Sequence, residues 1–403
     1  MISNSSDSPR LSIVIPTRER AAYLGAAIKT CLANAGTSFE VIILDNASTD
    51  ETEQVVAEIG DARLRYFKSS HRLSMRQNFE RGLDHIRGEF VCFIGDDDGL
   101  LPTSIQEALK IFDERNVDAV ACNRAHYAWP DLQSRRRNTA LVPRKAGVHL
   151  RNSKDELKKV LADDNYYKLP CIYHGFVKNS LIQRIRGRDD GFFHSSQVDI
   201  YSSIALSMED FTYAYSEAPL IINGGSSRSN GAAHFGGGSQ VERSNWKKED
   251  EIGFLDGFEG YATVGSLIIE SALRYAKKRD FADIYEIFDR EDVIQSLSRE
   301  RACRLSLQRD DSNFDAAFST AGISETEHAN GQSPDSGAIS RYIKLCSSFL
   351  SMLPIDARER GVVDVNGAAQ MIQSLLLERK LGLLSDPIQQ ITAAGQIAFG
   401  RDN

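Results

Sequence analysis

The sequence predicts an α/β fold, with a mainly parallel sheet flanked by helices, followed by an all-helical C-terminal appendage. Apolar runs of strand length alternate with helical patterns over the first third, and the patterns beyond about residue 241 are helical. A chain of 403 residues also exceeds the usual size of one packed core. We therefore expect two domains, residues 1–240 and residues 241–403.

The elements of the first domain follow from its apolar patterns. Continuous apolar runs of the kind buried in parallel sheets predict strands, and apolar residues at helical spacing predict the helices between them. In chain order these are strand 11–16, helix 21–35, strand 40–44, a helix from residue 48 to about 59, strand 63–67, helix 75–86, strand 89–94, helix 104–114 and strand 118–122. Ser48, with Glu51 three residues later, is typical of a capping box at a helix start.

The second half of the chain predicts one more strand and then helices. The strand is expected over 214–222, and residues 224–238, with six glycines, are expected to form a linker or a mobile lid. Amphipathic helices are predicted over 265–278, 281–288, 292–307, 339–352 and 368–381. We expect these helices to pack on the first domain, form a homodimer, or dock on a membrane or acceptor.

Composition and charge narrow the classes of function. Hydrophobic residues make up 41% of the chain and charged residues 26%, which excludes wholesale disorder. The net charge of −8 gives no basic excess for nucleic-acid binding, and no apolar run is long enough for a transmembrane segment. The six cysteines are scattered, with no CxxC pair, which predicts reduced thiols and a cytoplasmic protein.

Polar residues cluster where the predicted strands end, which is where ligands bind in parallel sheets. These clusters are Pro16-Thr-Arg-Glu-Arg20, Asp45-Asn46 and Gly95-Asp-Asp-Asp-Gly99, together with Arg76 and Asn78 at a helix start. Three adjacent carboxylates repel one another unless a cation lies among them. Asp96, Asp97 and Asp98 therefore favour a Mg²⁺ or Mn²⁺ site over the alternative, a polar turn that caps the next helix. The sequence has no GxxxxGK[ST] loop and no GxGxxG after the first strand, so a metal must supply much of the charge opposite a diphosphate.

Four segments together resemble the motifs of family 2 glycosyltransferases of the GT-A fold, a Rossmann-like architecture. They are LSIVIPT at 11–17, VIILDNASTDET at 41–52, RQNFERGL at 76–83 and FIGDDDGLLP at 93–102. The resemblance covers about residues 10–240 and is most specific over 10–102. It implies that a sugar is transferred, with inversion, from a nucleotide-sugar donor to a hydroxyl acceptor, with Mn²⁺ or Mg²⁺ on the diphosphate.

The resemblance also implies roles for individual residues. Those expected to bind the nucleotide-sugar are Pro16, Thr17, Arg18, Glu19, Asp45, Asn46, Arg76, Asp96 and Asp97. The expected metal ligands are Asp97, Asp98 and His234, the last of these from the glycine-rich segment. The division of labour among the three aspartates stays open, because Gly95 stands where the family's first motif aspartate usually stands.

The family needs a general base about 100 residues beyond the metal motif, and Asp199 is the best match. It lies in the segment GFFHSSQVDIY at 191–201, with Val198 where the family usually has Glu. A simple capping role at a helix start is the alternative for Asp199, and Asp189 and Asp190 are competitors for the role of base.

Many proteins of this family work in bacterial surface-polysaccharide or glycoconjugate biosynthesis, at the cytoplasmic face of a membrane. The resemblance therefore implies a UDP-linked donor, a glycan, lipid-linked or small-molecule acceptor, and peripheral membrane association. One alternative is a non-catalytic nucleotide-sugar-binding scaffold, which would bind donors without turnover. A nucleotidyltransferase is another, but it would want a glycine-rich basic loop where Pro16-Thr-Arg-Glu-Arg20 stands.

Overall fold

The computed structural model describes residues 8–36, 38–229, 250–279, 283–307, 313–324, 327 and 352–380. The first ten elements alternate as the sequence predicts, with a short extra strand after the aspartate cluster. They are β1 (Leu11–Thr17), α1 (Ala21–Leu32), β2 (Phe39–Asp45), α2 (Thr52–Ile59), β3 (Leu64–Lys68), α3 (Met75–Leu83), β4 (Phe90–Phe93), β5 (Gly99–Leu100), α4 (Ser104–Arg115) and β6 (Ala119–Ala128).

The middle of the chain adds strands and short helices, and the later part is mostly helical. The middle elements are β7 (Thr139–Pro143), β8 (Val148–Asn152), α5 (Ser153–Leu157), α6 (Val160–Asp163), β9 (Gly175–Lys178), α7 (Asn179–Asp189), α8 (Val198–Ser207) and β10 (Thr212–Gly225). The later elements are α9 (Val264–Lys278), α10 (Arg290–Ser306), α11 (Asp315–Thr320), β11 (Met352–Asp356) and α12 (Val365–Lys380). None of the described helices has the length and hydropathy needed to cross a membrane.

The strands form one mixed sheet with the order β11-β7-β6-β9-β4-β1-β2-β3, and β10 pairs with β5, β6 and β8. β1, β2, β3 and β4 are mutually parallel, and β6, β10 and β11 run in the same direction as they do. β5, β7, β8 and β9 run in the opposite direction. This confirms the predicted mainly parallel sheet flanked by helices. The carboxyl ends of β1, β2 and β4 meet at one edge, because parallel neighbours all end on the same side.

β1, β2 and β4 are buried on both faces, as continuous apolar runs predict. Ile13, Val14, Ile42, Ile43 and Cys92 are fully inaccessible to solvent. Helices cover one face with α1 and α4 and the other with α3, α7 and α8. Burial of these apolar side chains on both faces stabilises the sheet, because apolar surface is removed from water.

The C-terminal helices α9 and α10 pack onto α8 in one apolar cluster. Ile200, Tyr201 and Ile204 of α8 lie in this cluster with Ile268 of α9 and Leu297 of α10. All five side chains are at most 3% exposed. Because α8 also packs against the sheet, the C-terminal helices hold α8 from its outer side.

The predicted capping box at Ser48 and Glu51 is wrong. The Ser48 hydroxyl accepts from the backbone N–H of Glu19, 2.9 Å away, so it serves the loop after β1 instead. Asp50 bonds the N–H of Thr52, at the start of α2. A capping box does occur at α3, where Ser74 and Gln77 bond each other's backbone N–H groups.

The C-terminal appendage is not all-helical, because β11 lies within it. β11 pairs antiparallel with β7 at the edge of the sheet. Pro354, inside this strand, has no N–H to donate, which an edge strand tolerates. The predicted helix 339–352 lies outside the described residues except for Met352, which begins β11. The predicted helix 281–288 is replaced, where the chain is described, by a short 3₁₀ turn at Ile284–Glu286. The division into domains at residue 240 stays a prediction.

Candidate active site

A cavity of about 720 Å³ lies beyond the carboxyl ends of β1, β2 and β4. The end of β10, the start of α8 and the start of α9 form its other walls. It brings together eight of the residues that the sequence predicts for the site: Pro16, Thr17, Arg18, Glu19, Asn46, Asp96, Asp97 and Asp199. Residues from four separate parts of the chain therefore share one space.

Asp96 is held by the last residue of β1 and by the loop that follows it. Its two carboxylate oxygens accept hydrogen bonds from Thr17 Oγ1 at 2.7 Å and from Arg20 at 3.0 Å. Burial opposes the charge of Arg20, but Asp96 and Asp97 more than compensate and raise the pKa of its guanidinium. Arg20 is thus a permanent cation beside the aspartates.

Asp97 faces the chain that follows β10. Its Oδ2 accepts from the hydroxyl of Ser226 at 2.6 Å and also from Ser229. Burial raises the pKa of Asp97 to about 6, with help from the charges of Asp98 and Asp96, while Arg20 acts in the opposite direction. Because burial disfavours the negative charge of this carboxylate, a cation bound beside it would stabilise it.

Asp98 is expected to bind the metal, but protein groups form hydrogen bonds with both of its oxygens. Oδ2 bonds the His174 ring at 2.6 Å, Tyr173 at 2.8 Å and the N–H of Gly95 at 2.6 Å. Oδ1 accepts from the N–H of Gly224 at 2.7 Å. Burial would raise the pKa of Asp98, but His174 and these donors lower it. We therefore assign Asp98 to fixing the turn after β4 and not to the metal.

The fit of a divalent cation depends on Asp97. Within the described ranges, no three His, Cys, Asp or Glu side chains form a group that could hold a metal. Asp97 nevertheless keeps Oδ1 free of donors from the described residues, since both serines bond Oδ2. Mg²⁺ commonly takes one or two carboxylates together with phosphate oxygens of a ligand. The site therefore fits a cation shared with a phosphate ligand. His234 lies outside the described residues.

Asp199 occupies the first turn of α8 and lines the cavity. Its Oδ2 accepts a hydrogen bond from the Tyr166 hydroxyl, and Oδ1 receives none from the described residues. Burial and the charge of Asp199 raise the pKa of Tyr166, so the phenol stays a donor. The Tyr166 hydroxyl thus orients the carboxylate, and its second oxygen is left for a ligand.

The two competitors of Asp199 are placed less favourably. Asp190 is exposed, follows the end of α7 in a left-handed conformation, and is not part of the cavity lining. Asp189 is the last residue of α7, and its side chain lies outside the described part. Of the three candidates, Asp199 is the one whose described carboxylate faces the cavity.

Asp45 and Arg76 are turned to other partners. Asp45 is fully buried, and its oxygens accept from the N–H of Ser48, 2.8 Å away, and from the Tyr66 hydroxyl. Arg76 forms an ion pair with Asp250, at 3.1 Å. Neither residue lines the cavity, so the expected contact of either with a nucleotide has no support in this arrangement.

Two other predicted residues line the cavity but also brace the loops around it. The Glu19 carboxylate accepts from the backbone N–H groups of Thr49 and Asp50. Asn46 makes two hydrogen bonds of 2.8 Å with the backbone of Leu73. Both side chains therefore join separate strand-end loops into one wall.

Several site residues escaped the sequence analysis, although some lay in segments that it noted. Arg20 belongs to the quoted cluster after the first strand. Site residues that no sequence motif marks include Arg124 of β6, Tyr166, Tyr173 and His174 before β9, and Ser226 and Ser229 after β10. An isolated Arg or Tyr in a strand or loop carries no spacing signal, so the fold alone could place these residues. Tyr261, Val264 and Leu267 also line the cavity, so the later part of the chain contributes a wall.

Comparison with known proteins identifies similar sequences over the first part of the chain. Residues 12–172 match the family model described as glycosyl transferase family 2. A stretch of 109 residues is 34% identical to a GalNAc(5)-diNAcBac-PP-undecaprenol beta-1,3-glucosyltransferase of Campylobacter jejuni, and covers 26% of this chain and 35% of that protein. A stretch of 107 residues is 28% identical to an uncharacterized glycosyltransferase of Rickettsia typhi, and covers 27% of this chain and 33% of that protein. The chain thus spans about a third of the length of these relatives.

Solved structures provide more distant similarities. S. aureus TarS 1–349 in complex with UDP-GlcNAc is 15% identical, with a TM-score of 0.46, over 94% of this chain and 93% of that chain. The mannosyltransferase PcManGT from Pyrobaculum calidifontis, in complex with GDP-Man and Mn²⁺, is 15% identical, with a TM-score of 0.41, over 95% of this chain and 89% of that chain.

Proposed function

We propose that this protein transfers a sugar, with inversion, from a nucleotide-sugar donor to an acceptor hydroxyl, because residues 12–172 match the glycosyl transferase family 2 model. The observation that carries the proposal is that one cavity is lined by both Asp97 and Asp199. The first is a buried carboxylate suited to a cation and the second is a carboxylate with a free oxygen. A displacement reaction needs both, one group for the departing diphosphate and another for the incoming hydroxyl.

The β1–β4 side of the cavity receives the diphosphate of the donor. Asp97 and phosphate oxygens would hold Mn²⁺ or Mg²⁺, which stabilises the negative charge of the leaving group. Arg20 neutralises Asp96 and Asp97, and so lets an anionic ligand approach three adjacent carboxylates. Ser226 and Ser229 keep Asp97 Oδ2 occupied, which directs Oδ1 toward the ligand. Thr17, Arg18, Glu19 and Asn46 form the wall beside the nucleotide.

Asp199 acts as the general base. Its free oxygen accepts the proton of the acceptor hydroxyl while that oxygen attacks the anomeric carbon, on the face opposite the departing diphosphate. Tyr166 holds the other oxygen and so fixes the direction of the carboxylate. General-base catalysis of this kind typically accelerates a reaction by about 10²–10⁴-fold.

The donor and the cellular role follow by analogy. We propose a UDP-linked donor and a role in bacterial surface-polysaccharide or glycoconjugate biosynthesis, at the cytoplasmic face of the membrane. The name of the C. jejuni relative specifies an undecaprenol-linked acceptor, which supports a glycan or lipid-linked acceptor here. Tyr166, Tyr261, Val264 and Leu267 give the acceptor side of the cavity an aromatic and apolar wall.

The proposal is tested with Asp199→Asn, which keeps the shape of the side chain but cannot take a proton. We expect sugar transfer to fall by about 10²-fold or more, while donor binding in the presence of Mn²⁺ stays near the wild-type value. Transfer is measured as nucleotide release with acceptor present, and binding by calorimetry. Asp190→Asn is the matched control, because Asp190 is exposed and outside the cavity.

Two outcomes would contradict the assignment. If Asp199→Asn loses donor binding, Asp199 has a nucleotide-binding or structural role. If Asp190→Asn is inactive while Asp199→Asn is active, the base lies upstream. The scaffold alternative would instead give a wild-type protein that binds donors tightly and turns over none of them, with any acceptor.

A further inference from the structure

Arg124 of β6 lines the cavity and is almost fully buried, with 9% of its surface exposed. Its guanidinium stacks on the ring of Tyr167, with Cζ 4.3 Å from the ring centre. Nε has no hydrogen-bond partner among the described residues. A second buried polar atom without such a partner, Nδ1 of His174, belongs to the same cavity lining.

No carboxylate of the described residues forms an ion pair with Arg124. Two other deeply placed arginines do have such partners: Arg20 bonds Asp96 at 3.0 Å, and Arg304 bonds Glu300 at 2.7 Å. A charge without an ion-pair partner is costly to bury, because it loses its hydration and gains no opposite charge in return. An arginine kept in this state beside an open cavity is typical of a site whose ligand supplies the anion.

The position of Arg124 indicates which part of a ligand it meets. It stacks on Tyr167, whose ring centre lies 4.5 Å from that of Tyr166, the tyrosine bonded to Asp199. Arg20 is the cation that pairs with the aspartates on the diphosphate side. Arg124 is therefore associated with the general base and not with the leaving group.

We propose that Arg124 binds a carboxylate or phosphate carried by a substrate sugar, and that it selects an anionic sugar over its neutral counterpart. The inference rests on the proposed glycosyl transfer, because it places the sugars on the Asp199 side of the cavity. The planar guanidinium can bond two oxygens of one anionic group at once, which suits carboxylate and phosphate geometry. The anion belongs either to the transferred sugar or to the acceptor.

The first arm of the experiment tests the donor. Affinities are measured by calorimetry with Mn²⁺ for UDP-glucuronate against UDP-glucose, and for GDP-mannuronate against GDP-mannose. Each pair differs by one carboxylate, and free UDP and GDP complete the set. The second arm compares transfer to nitrophenyl glucuronide with transfer to nitrophenyl glucoside. Wild-type protein, Arg124→Gln, Arg124→Lys and Arg151→Gln enter both arms.

We expect wild-type protein to prefer the anionic member by at least about tenfold in one arm, which is the scale of a charged hydrogen bond. Arg124→Gln should lose this preference. Arg124→Lys keeps the positive charge and should retain part of the preference. Partial retention would show that the loss in Arg124→Gln is not caused by misfolding. Arg151→Gln should behave as wild type, because Arg151 stacks on Tyr215 outside the cavity.

The inference is overturned if neither arm gives a preference that depends on Arg124. It is also overturned if Arg124→Gln weakens free UDP or GDP as much as the complete donors, because Arg124 would then contact the diphosphate. Failure of the proposed function looks different: wild-type protein would turn over no donor with any acceptor, whether or not it binds donors, and the inference would fall with it.

Discussion

Three adjacent aspartates acquire different surroundings because neighbouring residues of a turn point in different directions. Asp96 pairs with Arg20, Asp97 bonds Ser226 and keeps one oxygen free, and Asp98 is saturated by ring and backbone donors. The same chemical group therefore neutralises a cation, offers a ligand oxygen or fixes a turn. Substitutions at the three positions should have separable effects.

Asp97→Asn should abolish transfer while the fold stays intact, because the amide has nearly the same shape but no charge for a cation. EDTA should inactivate the wild-type protein, and Mn²⁺ should restore it. Nucleotide release is the measurement, with the melting temperature as a check on folding. Asp113→Asn, on the exposed partner of Arg10, is the control and should be fully active. Full wild-type activity in EDTA would contradict the metal proposal.

His126 should make stability depend on pH. Burial and the charge of Arg124 lower the pKa of His126 to about 4. The charges of His174 and Arg136 also lower this pKa, whereas the charge of Asp98 raises it. The folded state therefore binds fewer protons than the unfolded state between pH 4 and 6.5. The contribution of His126 to the free energy of unfolding is complete above pH 6.5 and is lost, by about 1–3 kcal/mol, as the pH falls toward 4.

Urea unfolding from pH 7.5 to 4.5 measures this effect. The stability difference between wild type and His126→Gln should shrink as the pH falls, because the variant has no proton to gain. His71→Gln is the control, because the His71 side chain is exposed. Parallel curves for wild type and His126→Gln would show that His126 is not responsible.

At the scale of elements, the site depends on the close approach of β10 to the turn after β4. Gly224 of β10 donates its N–H to Asp98, and the Trp129 indole donates to the carbonyl of Asp97 at 2.9 Å. A Cβ at position 224 would lie 1.8 Å from that carbonyl oxygen. Glycine is therefore required here to let the two backbones meet.

Gly224→Ala should push β10 away from the aspartates. We expect it to lower the free energy of unfolding by about 1–3 kcal/mol, the scale of overpacking, and to reduce transfer. Gly225→Ala is the matched control, because its Cβ would meet its nearest neighbours at 3.9 Å and 4.0 Å, an ordinary contact. Chemical denaturation measures the free energy of unfolding of both variants. An equal loss of stability in Gly224→Ala and Gly225→Ala would contradict the role of the close approach.

At the scale of the molecule, the last described segment of the chain packs against the part of the protein formed by β1 to β10. β11 extends the sheet beside β7, and α12 packs against α1. Val365 and Ile372 of α12 are fully buried in a cluster with Leu101 and Trp129, close to the aspartate turn. Residues of α12 thus complete an apolar cluster in which Leu101 and Trp129 lie more than 200 positions away in sequence. The predicted homodimer through the C-terminal helices stays a prediction.

Ile372→Ala should therefore destabilise the whole protein by about 2–5 kcal/mol, because it leaves a cavity in this shared cluster. Leu377→Ala on the same helix should change stability by less than about 0.5 kcal/mol, since Leu377 is 50% exposed. Denaturant titration followed by tryptophan fluorescence measures both, and Trp129 reports on the cluster itself. A separate early transition in Ile372→Ala would instead mean that α12 unfolds alone.

Local sequence patterns were enough to predict the strands and helices of the first part of the chain and the polar groups at the strand ends. Apolar runs specify buried strands, and parallel strands bring their carboxyl ends to one edge, so Asp96, Asp97 and Asn46 could be expected together. These features depend on residues that are close in sequence, or on the direction of the chain, both of which the pattern contains.

The tertiary structure alone decided which polar groups are free and which are used. Asp45 and Asp98 look like ligands in the sequence, but Tyr66 and His174 occupy them, and Arg76 is taken by Asp250 across 174 positions. Arg124 carries no local signal and is left without a described anionic partner. The physical reason is that hydrogen-bond and ion-pair partners are set by packing between distant segments. A carboxylate therefore has the same sequence pattern whether it faces a ligand or is already satisfied.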